Sequence, residues 1–288
     1  MSTTTPSAAT PAAELGILIA APARGPVVRF AGIVRAEWTK IRSVRSTVWT
    51  LLLFVVITVG LTALLTTLVV HNQSGPRSAE RDVRILSDPV GFILGAGIGL
   101  GQLTICVLGV LVITTEYSTG VIRASLLAVP RRLSMLLAKI LVFTALMLVL
   151  AEMVSFGSFF AGSALLHSMA AVSLSDHNVT RSVIGAGLYL TVLGLFALAI
   201  GLLIRHTAGA IATVIGAVLV VPILTSLLPG SWGAHIDAYL PEQAGSKIFG
   251  DRPEAAQLLS AWEGFGIFCL WTLVLLILGA WLLRRRDA

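Results

Sequence analysis

Six apolar runs, at 48–70, 91–114, 140–166, 183–204, 208–228 and 264–283, dominate the chain. Each is about 20 residues or longer, the length an α-helix needs to cross a hydrocarbon core ~30 Å thick. The hydrophilic segments between the runs alternate between two sides, and the sides differ in charge. The side holding the N-terminus carries 14 of the 20 basic residues and four acids, Glu14, Glu37, Glu116 and Asp287. The other side carries six basic residues and nine acids. The positive-inside rule therefore places both termini in the cytoplasm. The expected fold class is an all-α membrane protein: six transmembrane helices preceded by an amphipathic interfacial helix.

Composition agrees. With 56% apolar and 12% charged residues the chain lies outside the soluble globular range. The net charge of +6 belongs to juxtamembrane segments, where basic residues attract anionic lipid and fix orientation. No basic stretch is interleaved with aromatics, so lipid is an expected partner and nucleic acid is not. Cys106 and Cys269 fall in opposite halves of two spans, so no disulfide is expected, and neither has the neighbours of a metal site. Residues 1–28 are rich in Ala, Thr and Pro, and Glu14 precedes their short apolar stretch where a signal peptide would carry basic residues. They are expected to form a disordered cytoplasmic tail, leaving 29–288 as the membrane domain.

Four segments between the runs stand out. Phe30, Ile33, Val34, Trp38, Ile41, Val44 and Val48 recur at three- and four-residue steps, with Arg35, Lys40, Arg42 and Arg45 largely between them. That pattern predicts a basic amphipathic helix lying in the membrane interface. The stretch 71–89, with nearly cancelling charges, reads as a short solvated external loop with some helix. Residues 115–139 form a cytoplasmic segment too apolar for a disordered loop. Ile122, Leu126 and Val129 share a helical face ending near Pro130. The last external segment, 229–263, is the longest, and its semi-apolar stretches suit a part that dips back into the membrane. Within the second run Gly91, Gly95 and Gly99, and again Gly97 and Gly101, recur at four-residue spacing, which lets helix backbones approach closely in lipid.

Catalytic apparatus is missing from the sequence. No GxxxxGK[ST] loop occurs, no HExxH occurs, and the five histidines have no carboxylate partner at ligand spacing. Serines at 155, 158 and 163 lack a histidine at matching depth, as an intramembrane protease would need. Glu152 alone is an ionisable residue well inside a run, and it is a candidate intramembrane polar site. Two readings stay open for it, a coupling site for a proton or cation and a structural interhelical hydrogen bond.

The arrangement over residues 29–286 resembles the permease subunits of ABC-2 type exporters, whose fold is shared with the G subfamily of ABC transporters. Arg35-Ala36-Glu37-Trp38-Thr39-Lys40-Ile41-Arg42 looks like the interfacial helix that precedes the first span in that family. Glu116-Tyr117-Ser118-Thr119-Gly120-Val121-Ile122-Arg123 looks like its Glu-Tyr/Phe-x-x-Gly-Thr-Ile/Leu signature, with Val121 where Thr is usual. The resemblance implies that Glu116, Tyr117, Gly120 and Arg123 belong to a coupling helix docking on a separate ATPase subunit. It also implies a translocation pathway between two permease copies in a bacterial plasma membrane, with ATP and Mg bound by the ATPase and no cofactor or catalysis in this chain. The second-span glycines are a candidate part of that interface. An apolar pathway suits an amphipathic or hydrophobic substrate. Two other classes stay open: a non-ABC membrane protein, such as a secondary transporter or membrane enzyme, and an immunity or sensor protein on the same scaffold.

Overall fold

A computed structural model of the chain describes residues 30–43, 45–72, 78–120, 132–228, 231–250 and 258–285. The expected tail at 1–28 and the expected helix around Ile122, Arg123 and Val129 lie outside the described residues. Helix α1 (Phe30–Ser43) precedes α2 (Arg45–His71), α3 (Ser78–Ser87), α4 (Pro89–Ser118), α5 (Arg132–Leu166) and α6 (Val179–Ile204). There follow α7 (Thr207–Ile215), α8 (Val221–Ser226), α9 (Ser231–Ala238), α10 (Pro241–Ser246) and α11 (Ala261–Arg285). Among the described residues no strand occurs. Helices α2, α4, α5, α6 and α11, and α7–α8 taken together, are long and apolar enough to cross a membrane. The chain is a multi-pass membrane protein.

Local signals account for where the helices start and stop. Asp88 caps α4, its carboxylate accepting from Gly91 N at 2.7 Å, and Pro89 occupies the first turn, where a missing N–H costs nothing. The far end of α4 stops at Gly120, whose φ of +70° is the left-handed conformation glycine adopts most readily. Between α7 and α8 the chain widens into a π-turn at Gly216–Val220. Pro222 follows directly, and the wider turn accommodates a ring with no N–H to donate and a clash with the preceding turn.

Helix α6 is the hub and packs against α4, α5, α7 and α11. In its most apolar stretch 72% is buried, against 22% for α2 and α11, so those two are peripheral. Helix α2 is turned inside out compared with a water-soluble helix. It buries Phe54, Thr58, Thr62 and Thr66 and exposes Val48, Trp49, Leu52, Leu53, Val56 and Leu68. Small polar residues inward and bulky apolar residues outward is the arrangement that suits lipid, where apolar burial between helices brings little gain. On α4, Gly97 and Gly101 meet this threonine face so closely that a Cβ on either would run into Thr58 or Thr62. Thr62 Oγ1 donates to Thr58 O at 3.0 Å.

Over the expected amphipathic helix at 30–48 the described residues are helical, as α1 and the first turn of α2. The inward face of α1 is Ile33, Glu37 and Ile41, while Phe30 and Trp38 are exposed. The stretch 71–89 contains α3, whose Ile85 is buried. In the segment 229–263 the short helices α9 and α10 form, and Ala244 and Ile248 are fully buried beside α11 and α6.

Candidate functional site

At the end of the bundle where α4 finishes and α5 begins, four charged side chains close a ring. Lys139 Nζ on α5 donates to Glu37 Oε2 of α1 at 2.6 Å and to Glu116 Oε1 of α4 at 2.8 Å. Lys40 Nζ donates to Glu37 Oε1 at 2.7 Å and to Glu116 Oε1 at 3.1 Å. The ring is formally neutral and largely dry: the side chains of Lys139, Glu37 and Glu116 are 3%, 2% and 10% exposed, and that of Lys40 is 35% exposed. Burial pushes the Glu37 carboxyl up, yet Lys139 and Lys40 outweigh it and hold the pKa below the ordinary value. Burial likewise pushes Lys40 down, and its bonds to Glu37 and the Glu116 charge outweigh that and raise it.

The ring ties three helices that the sequence separates widely. Glu37 sits on the inward face of α1, one turn from Ile33 and Ile41, so apolar packing on α5 delivers it to Lys139. Glu116 sits four residues before Gly120 and stops at the height of the first turns of α5. Next to it the Tyr117 ring lies under the Arg205 guanidinium at 5.1 Å, and Arg205 Nη2 donates to Leu282 O of α11 at 3.5 Å. Arg205 itself ends α6 at φ +60°. The ends of α1, α4, α5, α6 and α11 are thus joined by polar contacts in the two turns leading to Gly120. A groove of about 460 Å³ between α1, α2 and α4 borders the ring, lined by Thr47, Thr50 and Thr115 beside Glu116.

The other sequence candidates disperse. Arg35, Trp38 and Arg42 of α1 face away from the bundle and are exposed. Arg123 lies outside the described residues. Glu152 projects from α5 against Gly187 of α6, and its Oε2 is buried without a hydrogen-bond partner among the described residues. One turn further on, Ser155 donates to Val183 O at 2.5 Å. Glu116, a member of the expected coupling segment, has its Oε1 on the two lysines.

At the opposite end a cavity of about 1250 Å³ opens between α3, α4, α9 and α10. Gly91, Gly95 and Gly99 form one wall, and the space beside Gly95 and Gly99 is open. The five glycines spaced at four residues therefore divide: Gly97 and Gly101 seat α2 of the same chain, and Gly91, Gly95 and Gly99 line this cavity. Gln102, 6% exposed, forms the floor, its Oε1 accepting from Tyr189 Oη at 2.7 Å. Tyr189 is held by Phe249 and Phe268, with ring centroids at 5.3 and 5.6 Å. Asp88, Asp237 and Glu242 also line the space, with Lys247.

The sequence pointed to Glu116 and Glu37 as motif members but gave no sign that they meet through Lys139. The cavity's polar groups escaped sequence reasoning altogether, because they lie in segments with no periodic pattern. Among the described residues no three His, Cys, Asp or Glu side chains converge at metal-binding distance. No protein-family model matches the chain, and no curated protein is similar to it at a significant level.

Proposed function

We propose that this chain is the membrane-spanning permease subunit of an ATP-driven exporter of the ABC-2 type, pairing with a second permease copy and with a separate ATPase. In this reading both termini are cytoplasmic, α1 lies in the inner interface of a bacterial plasma membrane, and the substrate is amphipathic or hydrophobic. The observation that carries the reading is the Glu37–Lys139–Glu116–Lys40 ring. It locks the interfacial helix, the end of α4 and the start of α5 into one block directly before Gly120, in the middle of the family-like signature. A push on the segment after Gly120 would reach α4 and α5 together as a rigid-body rotation, the way ATPase closure must be delivered to helices. In this reading the ring serves architecture, and ATP hydrolysis belongs to the separate ATPase. Affinity purification of the chain in mild detergent, with the co-purifying proteins checked for an ABC ATPase, tests the reading. Stoichiometric recovery, lost on Gly120→Val with membrane insertion intact, is the expected result, and recovery of the chain alone under the same mild conditions refutes it.

A further inference from the structure

The cavity opposite the ring has the chemistry of a ligand site rather than of a packing defect. Among the described residues its negative groups outnumber its positive one: Asp88, Asp237 and Glu242 face it with Lys247. Asp88 is engaged as the cap of α4, and Asp237 Oδ1 accepts from Thr225 Oγ1 at 2.9 Å. Glu242 has no hydrogen-bond or ion-pair partner among the described residues, although it sits close enough to Asp237 to feel its charge. Two carboxylates in a half-buried mouth repel one another unless one is protonated or a cation lies between them. A second observation comes from the floor. The buried Gln102 gives its carbonyl to Tyr189, and its amide nitrogen finds no acceptor among the described residues while the side chain lines the cavity. That nitrogen is a donor open to the cavity, where a ligand oxygen or water can accept from it. Between floor and mouth, the glycine wall of α4 with Phe92 and Phe249 gives an apolar flank.

We propose that this cavity binds an amphipathic organic cation, its charged group between Glu242 and Asp237, its apolar body along the glycine face of α4 and an acceptor atom on Gln102. The space suits a compound of drug size. Burial first, and then Asp237, raises the Glu242 carboxyl to about 7, with Asp88 and Lys247 the other charged groups on the cavity. The mouth therefore gains its second negative charge as the pH rises through neutrality, and cation binding strengthens in the same direction. This site deepens the exporter reading and rests on it only for the claim that the bound compound is transported.

The test uses the full chain in phosphatidylcholine nanodiscs, with rhodamine 6G as the cationic probe, an anionic fluorescein dye as its counterpart, and fluorescence anisotropy as readout. Saturable binding of the cation alone is expected, tighter at pH 8 than at pH 6. Glu242→Gln should weaken it about tenfold, the value of one charge-assisted contact, and flatten its pH dependence. Gly95→Leu, whose side chain enters open space, should block the site while the thermal transition stays unchanged. Equal binding by wild type and both variants, as for dye dissolved in lipid, overturns the proposal. ATPase recovery from the same preparations separates the two claims. Cation binding without any ATPase leaves the site standing and removes the exporter. A recovered ATPase with cation binding indifferent to Glu242→Gln and Gly95→Leu removes the site alone.

Discussion

Replacing Lys139 by Met should be among the most damaging single changes in the chain. The side chain is almost fully buried and contacts two carboxylates at 2.6 and 2.8 Å. Met fills most of the volume, so the loss is electrostatic rather than steric. Without Lys139, Glu37 and Glu116 face each other with only the partly exposed Lys40 between them. Stranding one partner of a buried pair costs about 3–5 kcal/mol, and the remaining lysine puts this case at the lower end. At about 2–4 °C per kcal/mol in chains of a couple of hundred residues, the midpoint in detergent should fall by roughly 6–12 °C. A thiol-reactive dye reports the transition, because Cys106 is buried until the bundle opens. Lys40→Met should cost about 1 kcal/mol or less, as solvent screens a side chain that is a third exposed. Adding Glu37→Gln to Lys139→Met should recover about 1 kcal/mol, since one of the two stranded charges is gone. Equal midpoints for Lys139→Met and Lys40→Met, or no shift in the former, would refute the assignment of the ring as a buried unit.

The glycines of α4 predict opposite outcomes on adjacent turns: Gly97→Leu collides with Thr58 and Thr62 and should abolish folded protein, whereas Gly99→Leu points into open space and should leave yield on size-exclusion chromatography unchanged. Glu37 titrates below its ordinary 4.5, so the stability it confers is complete above pH 4.5 and is lost as the pH falls through the lower folded value; a Glu37→Gln variant should lose this part of the acid limb in thermal scans. Lys40, raised above 10.5, confers stability below that pH that is lost as the pH rises through the folded value, and Lys40→Met should flatten that limb. Single cysteines at Asn178 and Ser246, in a background lacking Cys106 and Cys269, should react with an impermeant maleimide on intact cells, and one at Ser118 should not; the reverse pattern inverts the orientation.

The six spans were legible because a hydrocarbon solvent demands long apolar runs, and each run found its helix. Their limits were read too short wherever a charged residue closed the run. The third began at Ile140 in the sequence, but α5 starts at Arg132, and Lys139 is a buried partner rather than a flanking charge. Glu37 and Lys139 lie 102 residues apart, and no local pattern encodes a pairing at that distance. The inward threonines of α2 were readable in principle, since Thr58, Thr62 and Thr66 repeat every four residues in an otherwise apolar run. The glycine stripes gave their spacing but not their neighbours, which is why one stripe seats α2 and the other faces a cavity. Asp237 and Glu242 at that cavity come from short helices placed by their packing, α9 by α8 and α10, and α10 by α6 and α11.

Reconstituting the chain in proteoliposomes with the co-purified ATPase, and recording ATP hydrolysis and rhodamine 6G movement together, tests the central claim most directly. The account predicts hydrolysis that rises with the dye, directional dye movement that requires ATP, and loss of both on Gly120→Val, which forces a β-branched residue to φ +70°. Dye movement or substrate turnover by this chain alone, with no ATPase bound and no response to ATP, would contradict it.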